Sequence, residues 1–179
     1  AVSLAEIDQL YLGDAIASPT RYIDRGEKGR ELVDRVRESG AEGVLFCQGT
    51  AAGGYSLYVK DRRLHYVHNY VARQRFTVSS PDALPSGRHE LRFEFEPTGP
   101  PDPAQGKGTP GLLQLYVDGT LVGNAEAPIT TPFMFNPGGV SCGHNPGSPV
   151  TPDYPSPFKF TGDLEKVVVD VSGELIVDQ

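Results

Sequence analysis

The chain has 179 residues, 38% hydrophobic and 22% charged, a length and composition that suit one soluble domain with its own core. A formal net charge of −7 argues against the basic surface that nucleic-acid binding requires, and no apolar run approaches the roughly 20 residues needed to cross a bilayer. The 21 Gly and 16 Pro point to many strands joined by turns rather than to helices.

The N-terminal part differs from the rest. Ser3 followed by Glu6 fits a capping box, and Leu4, Ile7, Leu10 and Tyr11 lie at helical spacing, so a short helix is expected near residues 4–12. Residues 24–40 are heavily charged, and the alternation of Leu32, Asp34, Val36 and Glu38 is imperfect enough to leave strand and helix both open. Residues 1–39 are therefore expected to form an extension packed on a sandwich of residues 40–179.

From Gly40 the pattern is β. Val44-Leu45-Phe46 reads as a buried strand. A hairpin follows, with a two-residue turn at Asp61-Arg62 that sets Lys60 opposite Arg63, Val59 opposite Leu64 and Tyr58 opposite His65. Period-two geometry then places Leu57, Val59, Leu64, Tyr66 and His68 on one face, and Ser56, Tyr58, His65 and Val67 on the other. Arg62 fits a primed turn poorly, since Gly is usual there, and a longer loop would shift this register. Residues 73–78 form another strand. In the run His89–Glu96 Leu91, Phe93 and Phe95 face the core while Glu90, Arg92, Glu94 and Glu96 face water.

Residues 97–111 are too rich in Pro and Gly to pair, and form a long mobile loop inside the domain. Leu113, Leu115 and Val117 alternate into the Asp118-Gly119 turn, and the chain returns through Leu121-Val122. Short strands are expected at Phe133-Met134-Phe135 and Phe158-Lys159-Phe160, with a Pro/Gly-rich loop over 136–157 between them. A last strand over 164–171 places Val167, Val169 and Val171 on one face. Nine to eleven short strands give an all-β, antiparallel sandwich.

Cys47 and Cys142 allow one disulfide at most and match no zinc pattern; Cys47, following an apolar strand, reads as a buried free thiol. No signal peptide precedes the first strand, which favours a cytoplasmic origin, while the absence of an initial Met leaves a removed leader and secretion open.

Several segments taken together form one consecutive pattern: Ala41-Glu42-Gly43-Val44-Leu45, Gly54-Tyr55-Ser56-Leu57-Tyr58-Val59-Lys60-Asp61 and Leu64-His65-Tyr66-Val67-His68-Asn69. The pattern continues through Gly87–Phe95, Leu115-Tyr116-Val117-Asp118-Gly119, Gly147-Ser148-Pro149-Val150 and Phe158-Lys159-Phe160-Thr161-Gly162. Over about residues 40–171 it resembles the C-terminal domain of bacterial arylsulfatases, which is similar to concanavalin A-like (laminin-G-like) jelly rolls. The resemblance implies a non-catalytic module packed beside a sulfatase-like catalytic domain. The formylglycine motif of sulfatases, C/S-x-P-x-R, is met neither at Cys47-Gln48-Gly49-Thr50-Ala51 nor at Cys142-Gly143-His144-Asn145-Pro146. The chain departs from the pattern in its first 40 residues, at Asp61-Arg62 where Asp-Gly is expected, and near Asn145 where an acidic residue is more usual.

Candidate ligand-binding residues are Tyr58, His65, Arg73, His144, Asn145 and Tyr154. Tyr58 beside His65 is expected as an exposed pair able to stack on a sugar ring or a neighbouring domain; His68 is expected as a satisfied core imidazole. No cofactor is expected apart from calcium, which takes six to eight oxygens. Asp118, Asn145 and Asp153 are the side chains able to contribute, and loop hydrogen bonding is the alternative role for them. Three functions follow: an accessory domain contacting a sulfatase-like catalytic domain or another protein surface, a glycan-binding module, and a glycan hydrolase or lyase. The nearest acidic array for the last, Glu90, Glu94 and Glu96, lacks the central Asp of an E-x-D-x-E motif. Anionic sugars remain candidates for the basic patch at Lys60, Arg62 and Arg63.

Overall fold

A computed structural model describes residues 40–132 and 139–169, together with the backbone of one strand at residues 32–36. The helix expected near 4–12, the strand at 133–135 and Val171 lie outside the described residues. Ten strands among those described form two antiparallel sheets. In chain order they are β1 (Leu32–Val36), β2 (Gly43–Thr50), β3 (Gly53–Lys60), β4 (Arg63–Tyr70) and β5 (Gln74–Ser79). Then come β6 (Gly87–Pro97), β7 (Gly111–Val117), β8 (Thr120–Ala127), β9 (Val140–Cys142) and β10 (Asp163–Lys166). Sheet A runs β10-β1-β6-β7-β8, and sheet B runs β5-β4-β3-β2-β9. The two stack face to face as a β-sandwich.

The charged stretch before Gly40 thus contributes a strand, and β1 sits inside sheet A between β6 and β10. The sandwich therefore begins before residue 40, and the segment 32–36 is part of it rather than part of an added extension. Backbone pairing with a strand on each side overrides the poor alternation of its sequence.

The β3–β4 hairpin has the expected register, with Lys60, Val59 and Tyr58 opposite Arg63, Leu64 and His65. Asp61 and Arg62 take φ of 50° and 60°, the primed turn that matches strand twist. A non-glycine residue is held in this conformation by contacts on both sides. The Asp61 amide donates to Glu42 Oε1 at 2.7 Å, the Leu84 amide donates to the Arg62 carbonyl at 2.6 Å, and the Arg62 guanidinium reaches the Leu84 carbonyl at 3.3 Å. The β7–β8 turn at Asp118-Gly119 is likewise left-handed, as its sequence predicts.

Between the sheets lies the main core. Leu57, Val59, Leu64 and Tyr66 of sheet B meet Leu91, Phe93, Phe95, Leu113 and Leu115 of sheet A. Tyr66 stacks on Phe93 across the interface, with centroids 3.6 Å apart and planes at 9°. Phe46 and Tyr55 extend this aromatic row along sheet B. Alternation on β6 is as expected: Leu91, Phe93 and Phe95 are buried, and their charged neighbours lie on the outward face.

Four expectations change. Residues 98–110 are organised by a 3-10 turn at Pro103–Gln105 and a bridge between Asp102 and Lys107, and the Tyr70 hydroxyl donates to the Gly106 carbonyl at 2.9 Å. Phe158–Phe160 is no strand; it makes a single bridge, Lys159 to Val44. Gly43 permits that approach, since a Cβ there would sit 2.3 Å from the Phe160 backbone. The last strand ends at Lys166, although Val167 and Val169 still pack on the core. In addition, β9 pairs with β2 inside the region read as loop.

The Tyr66–Phe93 stack gives a direct test. Phe93→Ala should cost about 3–4 kcal/mol in urea unfolding, and Phe93→Leu about 1 kcal/mol. A loss below about 1 kcal/mol for the alanine variant would show that the two sheets are not joined through this contact.

Candidate functional site

Strands β2 and β3 are buried on both faces, with seven of eight residues in each fully covered. The inner face meets sheet A. The outward face is covered by the chain's own segment 144–158, which forms a second core: Val44, Cys47, Tyr58, Val67, Val150 and Tyr154, with Phe158 packed against it. Most of the expected ligand-binding residues meet in or beside this core.

Tyr58 is 2% exposed. The expected stack with His65 exists, at 5.0 Å and 15°, but the pair is not an open platform. Tyr154 packs edge-on against the Tyr58 ring at 5.0 Å, and the Tyr58 hydroxyl donates to Asp153 Oδ2 at 2.8 Å. Burial, followed by the Asp153 carboxylate, pushes the Tyr58 phenol well above its ordinary range. Lys60 Nζ donates to the Asp153 carbonyl at 2.6 Å and fixes the same loop. His65 is half-buried; its Nε2 faces the Lys60 carbonyl at 3.1 Å, so that nitrogen donates, and Nδ1 accepts from Ser79 Oγ at 2.7 Å. Burial lowers its pKa, opposed in part by the Lys60 carbonyl and Asp153.

Asn145 is fully buried and has both polar atoms of its side chain engaged. Its Oδ1 accepts from the Val150 amide at 3.3 Å and from Tyr154 Oη at 2.9 Å. Its Nδ2 donates to the Pro146 and Ser148 carbonyls. Tyr154 Oη also lies 2.8 Å from Ser56 Oγ. Because Asn145 Oδ1 only accepts, Tyr154 donates to it and receives from Ser56. Asn69, also fully buried, donates to the Ala51 and Val150 carbonyls at 3.0 and 2.8 Å. Asn145, Tyr154 and Tyr58 thus brace a loop.

Arg73 stands apart from this cluster, and His144 borders it, its carbonyl accepting the Cys47 thiol at 3.6 Å. His144 is exposed, with Nδ1 near the Cys142 carbonyl. Arg73 closes the β4–β5 turn, its amide donating to the Tyr70 carbonyl at 2.8 Å. The three expected calcium ligands do not share a site. Both carboxylate oxygens of Asp118 are engaged on the sheet A side, by His89 Nδ1 at 2.8 Å and the Glu90 amide at 2.9 Å. Burial alone would raise the Asp118 pKa, but these two donors outweigh it and hold it low. Asn145 and Asp153 are committed as described, so loop hydrogen bonding is the role the geometry gives all three. No group of three or more His, Cys, Asp or Glu side chains among the described residues is placed to hold a metal ion.

Cys47 is buried and neither cysteine forms a disulfide. Cys47 pairs with Ser141 and Phe46 with Cys142 across β2 and β9. The thiols are therefore one pleat apart and point to opposite faces of the sheet. Burial, with a smaller effect of Cys142, pushes the Cys47 thiol up to about 12, far from the thiolate range.

The outward face of sheet A differs from that of sheet B. It gathers no second apolar cluster among the described residues. The Arg92 guanidinium lies 3.9 Å over the Tyr116 ring and also pairs with Glu94. Burial, then the charge and hydrogen bond of Glu94, raise the Tyr116 pKa. Glu90, Glu96, Leu112 and Gln114 line the same face, and Leu121, opposite Tyr116, is 45% exposed. Glu90, Glu94 and Glu96 project from β6, the middle strand of its sheet, rather than from an edge.

Sequence reasoning missed Ser56 and Asn69 as buried polar anchors. The available signal was Val44-Leu45-Phe46-Cys47, a consecutive apolar run that a strand covered on one face does not need. Compared with known proteins, the chain matches no family model and no curated protein sequence.

Two outcomes follow. Asn145→Ala, which leaves the Tyr154 hydroxyl and the Val150 amide without their acceptor, should cost about 2–3 kcal/mol and speed amide exchange in residues 145–154 first. Uniform exchange across both sheets would refute a separate loop clamp. His68 is buried, accepts the Thr131 amide at Nε2 at 2.8 Å, and has its pKa lowered by burial to about 4. The unfolded ring, near 6.5, binds a proton that the folded ring does not. Stability should therefore fall as pH drops from about 6.5 to 4, by about 3 kcal/mol from this group, and level off below. His68→Gln should remove that part of the pH dependence in urea titrations; an unchanged profile would exclude His68 as its source.

Proposed function

We propose that this chain is a non-catalytic accessory sandwich of the concanavalin A-like type, akin to the C-terminal domain of arylsulfatases. Its role is to pack the outward face of sheet A against a sulfatase-like catalytic domain. One observation carries the reading: the β2–β3 part of sheet B is closed on its outward side by the chain's own loop, while sheet A presents Arg92, Tyr116, Gln114, Leu112 and Leu121. Arg and Tyr held in place by neighbours are the side chains that most often anchor a protein interface. The Arg92–Glu94–Tyr116 arrangement is already ordered, so less side-chain entropy is lost on docking.

The rival readings have less support. A glycan platform at Tyr58 and His65 would require Tyr154 to leave the second core and Asp153 to release the Tyr58 hydroxyl. A hydrolase built on Glu90, Glu94 and Glu96 would require Glu94 to give up its contacts with Arg92 and Tyr116. The reading is tested by adding the chain to an arylsulfatase whose own C-terminal domain has been deleted. We expect a complex that Arg92→Glu and Tyr116→Ala each weaken about tenfold or more, with unchanged melting temperatures. Turnover of aryl sulfates or glycans by the chain alone, or equal association of the two variants, would overturn it.

A further inference from the structure

We infer that the outward edge of sheet B, along β4 and β5, is a binding strip for a linear anionic polysaccharide. The inference is independent of docking through sheet A. Register places His65 opposite Ser79, Val67 opposite Thr77 and Asn69 opposite Arg75. Val67 belongs to the second core, so its partners and their alternate neighbours share the outward face. That face therefore carries Arg63 and His65 on β4, Arg75, Thr77 and Ser79 on β5, and Arg73 at the turn between the strands. All of these are exposed except His65, which is half-buried.

The three arginines stand out because of what they do not contact. Arg62, Arg88 and Arg92 are each tied to a carbonyl or a carboxylate. Arg63, Arg73 and Arg75 make no ion pair or side-chain hydrogen bond among the described residues. The chain carries 23 acidic against 16 basic side chains, and charge of this balance would readily supply partners. Arg63 and the position of Arg75 are about 20 Å apart at the rise of a strand. Between them lie the Thr77 and Ser79 hydroxyls and the His65–Ser79 hydrogen bond. Guanidinium forks at both ends suit sulfate or carboxylate groups spaced along a chain, and hydroxyls between suit sugar hydroxyls. Asp153 and Asp61 flank the Arg63 end, and the Tyr58 hydroxyl and the Glu42 contact to the Asp61 amide fix them there.

Charged side chains also keep an edge strand from pairing with another chain, but that role is served by either sign and calls for no row of one sign. Single-stranded nucleic acid would need exposed aromatic faces to stack its bases, whereas the aromatic ring on this strip, His65, is half-buried and already stacked on Tyr58. The occupant is therefore a glycan bearing sulfate or carboxylate groups.

Calorimetric titration with a size-defined heparin oligosaccharide, an oligogalacturonate and a single-stranded DNA of equal charge tests the assignment at two salt concentrations. Binding of heparin alone assigns sulfate as the recognised group, and binding of oligogalacturonate as well assigns anionic sugars in general. The variant Arg63→Gln/Arg73→Gln/Arg75→Gln should lose about tenfold or more in affinity at an unchanged melting temperature, while Arg88→Gln on sheet A changes nothing. Failure of both glycans to bind, equal binding of the DNA, an unaffected triple variant, or an equal loss in Arg88→Gln would each overturn the site.

Discussion

The centre of sheet B, strands β2 and β3, is buried twice, and the second burial rests on two asparagines. The apolar contacts of Val44, Val67, Val150 and Phe158 supply the driving force, but they cannot fix which residues of a Pro- and Gly-rich loop lie where. Asn145 and Asn69 do that by accepting and donating at set positions of the loop backbone. With both polar atoms of the Asn145 side chain matched, the buried amide costs little; with one partner removed it leaves unmet groups in a dry interior. The position of Tyr154 and the cover over Tyr58 both depend on that match.

This arrangement separates two kinds of polar residue that look alike in the sequence. Tyr58, Asn145, Asp153 and Tyr154 carry groups common in binding sites, yet each is turned inward onto the chain itself. Arg63, Arg73 and Arg75 look like ordinary surface charge, yet none of the three has an ion pair or a side-chain hydrogen bond among the described residues. On sheet A, Arg92 is intermediate: its charge is matched by Glu94 and its flat face by Tyr116. Docking a partner there would bury a charge that is already neutralised, which lowers the desolvation cost.

Much of the fold was legible where local pattern and tertiary contact agree. The β3–β4 register followed from alternation and turn length, and the β6 face from Leu91, Phe93 and Phe95. The second face of sheet B was not legible in the same way. Period-two reasoning assigns Tyr58 and Val67 to the face away from the main core, and nothing local says whether water or chain covers it. The covering residues lie some 95 positions later, as in the Tyr58–Asp153 bond. For the same reason β9 looks like loop in the sequence: Val140-Ser141-Cys142 is too short to show a period, and only pairing with β2 makes it a strand. Arg62 shows the opposite failure, since local preference argued against a turn that contacts from Glu42 and Leu84 enforce.

The great sequence distance between β3 and its cover has a consequence for how the protein is made. The β3–β4 hairpin can close early from neighbouring residues, but Tyr58, Val67 and Cys47 must wait for Asn145 and Tyr154 to emerge from the ribosome. Until then one side of the nascent sheet is an apolar surface facing water or a chaperone. Pairings of such span are slow to form and vulnerable while they do. The interval between the hairpin and its lid is thus where synthesis of this domain is most exposed to wrong association.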